Sequence, residues 1–198
     1  MHHSELISKA RRGDQQATEE LLKTYRNYLH VLAQIQTSKR LQAKMDASDL
    51  VQETCMAACR DFDKFRGGSE RELLGWLRTI LANTGGKMIR RYKGTRRRDV
   101  AREQGWAPSL DQSDAALSGL ASPVSTPSHG AARREAAVIV ADKLAELPKH
   151  YREAIVLHYF DGLKIAEVAE KLNRSPEATG SLLSRAVIKL RSLMKGTP

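Results

Sequence analysis

Aromatic residues make up only 5% of the 198-residue chain. That is too few for the row of stacking rings that holds long single strands, although one or two wedge aromatics fit so small a number. Cysteine is scarcer still, with Cys55 and Cys59 the two in the chain. They stand four apart in a stretch of helical period, so adjacent turns offer two thiols, whereas a closed zinc site takes about four ligands. The six histidines, His2, His3, His30, His129, His150 and His158, are scattered without ligand spacing. No metal is therefore expected, and the cysteines read as reduced thiols, Cys55 on the core stripe and Cys59 at its edge. No apolar run approaches the roughly 20 residues of a membrane span. Met1-His2-His3-Ser4-Glu5 lacks the apolar stretch of a secretory signal, so a cytoplasmic protein without membrane insertion is expected. Clustered carboxylates with histidine, a glycine-rich phosphate loop and a nucleophile motif are all missing. Their absence argues against an enzyme, nucleases included, and calls for no cofactor.

What the chain has is positive charge, a net +10 with a pI near 9.8, which points to a polyanionic partner without naming it. Residues 161–186 supply the sharper signal. Asp161-Gly162 stops one helix, Ile165, Val168, Ala169 and Leu172 form an i, i+3, i+4, i+7 stripe, and Asn173-Arg174-Ser175 makes a turn. Ser175 then caps a second helix whose first position suits Pro176. Small residues, Ala166 and Ala169 before the turn and Ala178 after it, are expected to let the two helices cross closely. The whole reads as a DNA-binding helix-turn-helix.

Three zones follow from the pattern, an all-α fold of two small helical domains: residues 4–98, a linker over 99–130, and residues 131–195. The stretch from Gly105 to Gly130 is dense in Ser, Ala, Pro and Gly without sustained period, and reads as a flexible linker. Some 25 such residues span up to ~80 Å when extended at ~3.3 Å each, enough to join contacts two DNA turns apart at ~34 Å per turn. In the first zone Gly13 ends a short helix and Asp14 caps a longer one carrying Leu21, Tyr25, Tyr28, Leu32 and Ile35. A third helix starts at Asp46, with Val51, Cys55, Ala58 and Phe62 on its apolar face and Asp49, Gln52, Glu53, Met56 and Arg60 opposite. Phosphates would repel so acidic a face, and an exposed methionine beside it suits protein contact.

Ser69 and Glu72 form a capping box that opens a fourth helix, running to about Tyr92. Leu73, Leu77, Ile80, Leu81, Thr84 and Met88 give its core side, and Trp76, Asn83, Lys87, Arg90 and Arg91 another side. Between residues 87 and 98 lie seven basic side chains, Lys87, Arg90, Arg91, Lys93, Arg96, Arg97 and Arg98, and no acidic one. With Asn83 and Trp76 upstream, the run suits phosphate tracking with base contacts. Gly85-Gly86 inside this helix costs ~1 kcal/mol each against alanine, marking local weakening or a close backbone approach.

The order Asp46-Ala47-Ser48-Asp49-Leu50-Val51-Gln52-Glu53-Thr54, then Phe62 to Gly67, Gly75-Trp76-Leu77, Ile80 to Thr84 and the terminal helix-turn-helix resembles sigma factors of the extracytoplasmic-function type. The resemblance implies a bacterial RNA polymerase subunit with two helical domains, regions 2 and 4, that recognises promoter DNA and helps open it. By that similarity Asp49, Leu50, Gln52, Glu53 and Met56 would dock on the clamp helices of the polymerase largest subunit. Lys64, Phe65 and Arg66 would lie in the loop that captures a flipped base of the minus-ten element, with Phe65 at its centre. Trp76, Asn83, Lys87, Arg90 and Arg91 would face the same strand. Ser175, Glu177, Ala178, Ser181, Ser184 and Arg185 would reach the minus-thirty-five element in the major groove. An anti-sigma factor is the further partner the resemblance allows.

Departures from the common pattern are three. The stretch between Arg66-Gly67 and Trp76-Leu77 is about two residues longer, with Glu70, Arg71 and Glu72 where an aromatic often stands. Lys87 replaces the usual acid four residues after the asparagine. Gly180 and Leu182 occupy positions where Lys and Arg are common, which should lower the salt slope of DNA binding by about two units. The competing reading is an autonomous helix-turn-helix regulator that binds a palindrome as a homodimer. No obvious dimer helix is present, and a long linker suits a bridging subunit better.

Overall fold

A computed structural model describes residues 3–40, 46–93, 114–117, 119–120 and 130–195. Every regular element among these residues is helical, and none is a strand. They fall into two compact units that divide between Asp111 and Gln112.

The first unit is built from α1 (His3–Arg11), α2 (Gln15–Arg40), α3 (Ala47–Asp61) and α4 (Glu70–Lys93). Gly13 adopts φ +90°, the left-handed conformation that glycine takes without cost, and turns the chain out of α1. Asp14 then caps α2, its Oδ1 accepting the Ala17 N–H at 3.0 Å. Asp46 caps α3 in the same way, accepting from Ser48 N at 2.9 Å. The stripe foreseen on α2 is wholly inside, with Leu21, Tyr25, Tyr28, Leu32 and Ile35 at most 1% exposed. α2 packs mainly on α3 and α3 on α4, and Leu50, Val51 and Ala58 of α3 and Leu73, Leu74, Leu77 and Leu81 of α4 are all buried. Each such leucine contributes on the order of 1.5–3 kcal/mol by leaving water. The α1 and α4 N-termini are tied by His3 Nδ1 and Glu70 Oε2 at 3.1 Å. Burial, and Glu70 second, push the neighbouring Tyr25 phenol far up, so it stays neutral. α4 runs unbroken through Gly85-Gly86.

The second unit comprises α5 (Gly130–Glu146), α6 (Lys149–Ile155), a π-turn over Val156–Phe160, α7 (Ile165–Lys171) and α8 (Pro176–Lys195). The shift to π hydrogen bonding before Asp161 is not foreshadowed in the residue pattern. Part of the expected linker is also helical. Residues 114–117 and 119–120 are wound, and Asp114, Leu117 and Leu120 are buried, so the zone is not uniformly devoid of structure. Gly130 already opens α5, and the remaining residues of the zone lie outside those described.

Gly162, at φ +72°, and the His158 ring, donating from Nδ1 to the Leu163 carbonyl at 2.8 Å, fix the turn between the π-turn and α7. α7 ends in a Schellman arrangement, with Arg174 N on Ala169 O at 2.9 Å and Asn173 N on Glu170 O at 3.2 Å. Asn173 sits at φ +50°, a conformation its short polar side chain tolerates better than most. α8 packs on α6 and α7 through Thr179, Leu182, Leu183 and Ala186, with Ala154, Tyr151 and Leu172 facing them. The close crossing was expected from Ala166, Ala169 and Ala178. Ala169 is buried, but Ala166 and Ala178 are exposed, because the helices meet on the other side of each.

Candidate nucleic-acid interface

On α3, Asp49, Gln52, Glu53, Met56 and Arg60 are exposed together, Met56 at 59%. Their i, i+3, i+4, i+7 spacing makes them one face, opposite the core stripe. Leu50 does not belong to it. Its side chain is fully buried, because it lies on the helix side that packs into the unit's core. It therefore supports the outer face from behind and cannot itself be touched by a partner.

After α3 the chain makes a single 3₁₀ turn, Phe62–Lys64, and a short loop to Ser69. Phe62, Phe65 and Trp76 form a ring cluster. Trp76 stands 5.3 Å from Phe62 at 80° and 5.2 Å from Phe65 at 41°, and the two phenylalanines are 5.7 Å apart at 63°. Such edge and tilted contacts add to the apolar burial of each ring. Phe65 is only 4% exposed, so it anchors the loop from inside, a correction to the expectation that it meets a flipped base. Trp76 is half-buried in the same cluster.

Gly67 crosses directly over this cluster. A Cβ there would lie 2.5 Å from Phe65 Cζ and 2.7 Å from the Glu72 Cβ, so only glycine fits. Glu72 Oε2 gathers Gly68 N, Ser69 N and Ser69 Oγ at 3.0, 3.1 and 2.7 Å. The Ser69 hydroxyl, foremost, and the two amides hold this carboxyl below the usual range. Ser69 Oγ in turn accepts Glu72 N at 3.3 Å, completing the capping box. What the loop presents outward is polar. Lys64, whose Nζ bonds Asp61 at 2.6 Å, and Arg66, which donates to Asp63 O at 2.8 Å, are both exposed.

Along α4, Asn83, Lys87, Arg90 and Arg91 are exposed on a continuous side. The side chain of Lys93 and residues 96–98 lie outside those described. A groove of about 560 Å³ between α3 and α4 is lined by Glu53, Met56, Arg60, Lys87, Arg90 and Arg91 among others. Residues assigned by pattern to a protein-docking face and to a phosphate-tracking run thus share one depression. Their neighbourhood depends on how α3 crosses α4, which spacing within either helix does not reveal.

In the helix-turn-helix, Ser175 Oγ accepts the Ala178 N–H at 3.2 Å, the N-cap bond foreseen. The Glu177 carboxyl is held below its ordinary range by its own backbone N–H and by Ser175, as expected where a helix N-terminus offers free donors. Ser175 at the N-cap and Glu177, Ala178, Ser181, Ser184 and Arg185 on α8 are all exposed. Ser184 spends its proton on Gly180 O at 3.0 Å, leaving its oxygen lone pairs as its outward capacity. Leu182 is 9% exposed and part of the core. Of the two positions, only Gly180 lies toward the outer surface, so the expected fall in salt slope is about one unit rather than about two.

A strongly basic chain whose second unit ends in an exposed helix-turn-helix belongs to the class of duplex-DNA readers. Residues 21–98 match the family model for sigma-70 region 2, and residues 137–190 that for sigma-70 region 4. The chain is 27% identical over 181 residues to the ECF RNA polymerase sigma-E factor of Haemophilus influenzae, covering 91% of this chain and 89% of that one. It is 29% identical over 170 residues to the protein of that name from Escherichia coli K12, covering 83% and 79%. A solved structure of CnrH in complex with the cytosolic domain of CnrY aligns over 99% of both chains at 23% identity. Its TM-score of 0.36 is too low to carry an argument. The chain belongs to the sigma-70 family of transcription initiation factors, extracytoplasmic-function type. It binds RNA polymerase and directs promoter-specific initiation.

Proposed function

We propose that residues 4–98 act as region 2, docking on the polymerase and opening the minus-ten element, and that residues 131–195 act as region 4, reading the minus-thirty-five element. Residues 99–130 join the two. The observation that carries the reading is the segregation of charge on the first unit. The acidic, methionine-bearing face of α3 suits a protein surface, and the cationic side of α4 suits phosphates. Asp49, Gln52, Glu53 and Met56 meet the clamp helices of the polymerase largest subunit. Asn83 addresses an unpaired base, with Lys87, Arg90 and Arg91 on the backbone and Lys64 and Arg66 at the loop. On α8, Glu177, Ala178, Ser181, Ser184 and Arg185 enter the major groove.

The protein works as a subunit in the cytoplasm, with no chemistry of its own. Among the described residues no helix is long and apolar enough to cross a membrane. An anti-sigma factor that covers the α3 face would compete directly with the polymerase. Run-off transcription on a genomic promoter pool tests the assignment. Core polymerase plus this chain is expected to initiate at a defined set of starts, whereas initiation indistinguishable from core polymerase alone would refute it.

A further inference from the structure

Cys55, Cys59 and Met56 spread three sulfur atoms over an arc of about 100° on α3, from the edge of the core stripe to the outer face, and neither polymerase docking nor DNA binding uses the two thiols. At 3.6 residues per turn Cys59 lies about 40° around the helix from Cys55, and Met56 about 60° further. Both cysteines are free, Cys55 half-buried and Cys59 exposed. Burial, foremost, pushes both thiols up, with Arg26 drawing Cys55 back down and Glu19 adding to the rise of Cys59. Met56 is 59% exposed.

Helix geometry decides what such a pair can do. Side chains at i and i+4 have Cβ atoms about 5–6 Å apart, but a disulfide needs about 3.5–4.5 Å, so oxidation cannot close this pair within an intact helix. A metal bridge is longer. With metal–sulfur bonds of about 2.3 Å, two thiolates on one ion stand up to about 4.6 Å apart, which fits neighbouring turns. No cluster of three or more His, Cys, Asp and Glu occurs among the described residues. That disfavours a closed tetrahedral zinc site, whereas thiolate and thioether sulfurs are the donors that select copper(I).

We propose that Cys55 and Cys59 form a two-thiolate clamp for a soft monovalent cation of low coordination number, copper(I) being the representative, with the Met56 thioether as third donor. On binding, each thiol gives its proton to solvent, two sulfur–copper bonds form, and the metal keeps its oxidation state. The two thiols need only the fold of α3, whereas Met56 is shared with the proposed docking face.

The full chain, reduced and kept anaerobic, is titrated with copper(I) held by a chromophoric chelator. The expected result is a single high-affinity copper per chain with a thiolate-to-metal charge-transfer band. Cys55→Ser or Cys59→Ser alone should abolish it while leaving the helical circular dichroism unchanged. Cys59 is exposed, so C59S is the decisive variant. Met56→Leu, similar in volume, should lower affinity by about tenfold or more, as even outer-shell changes do. Undiminished copper binding by C59S, or two independent coppers per wild-type chain, would overturn the clamp, and unchanged affinity in M56L would remove the thioether from it.

Discussion

Phe65 and Trp76 lie ring against ring at 5.2 Å, eleven residues apart in sequence, and this contact determines what the loop between α3 and α4 can offer to DNA. With Phe65 inside, the proposed base capture falls to the polar rim of the loop and to Asn83. Phe65→Ala is expected to cost about 3–5 kcal/mol, the range for emptying a buried aromatic site. Chemical denaturation measures it. Unchanged stability combined with a loss of promoter opening would return Phe65 to the DNA surface.

Asn83 is exposed on the same side of α4 as Lys87 and Arg90, one and two turns away. In the proposed region 2 role this amide pairs with a base that has left the duplex. Asn83→Ala should therefore reduce promoter opening, read by permanganate reactivity, more than it reduces duplex binding in a band shift. Equal losses in both would contradict a single-strand role.

Arg185 is the outward cation in the middle of α8, because Leu182 is turned into the core and Gly180 carries no side chain. Arg185→Ala should weaken binding of upstream duplex and lower the salt slope by about one unit. Affinity measured across a salt series checks this. An unchanged slope would take Arg185 out of the interface.

How much of this was readable beforehand follows from the range of each interaction. The Asp46, Ser69-Glu72 and Ser175 caps are bonds between residues two or three apart, and local spacing reveals them. The buried faces of α2 and α4 repeat at helical period and were legible for the same reason. Phe65 was misread because its burial depends on Trp76 across a helix boundary. Leu50 was misread because family similarity assigns a segment to a partner without saying which side of the helix is inside. The inward turn of Leu182 was visible in the spacing of Thr179, Leu183, Ala186 and Leu190, yet reading the position by residue type alone concealed it. The shared groove of Glu53, Met56, Lys87 and Arg90 required the crossing of α3 with α4, which no one-dimensional pattern encodes.

The claim on which the account rests is that the outer face of α3 is the handle for RNA polymerase. Asp49 and Glu53 are both exposed there, one turn apart, so alanine at both removes charge without emptying the core. Equilibrium capture of core polymerase by wild-type chain and by the Asp49→Ala, Glu53→Ala double variant, with helicity monitored in parallel, tests it most directly. The account predicts capture weakened by tenfold or more, about 1.4 kcal/mol, at unchanged helicity. Capture equal to that of the wild-type chain would contradict it.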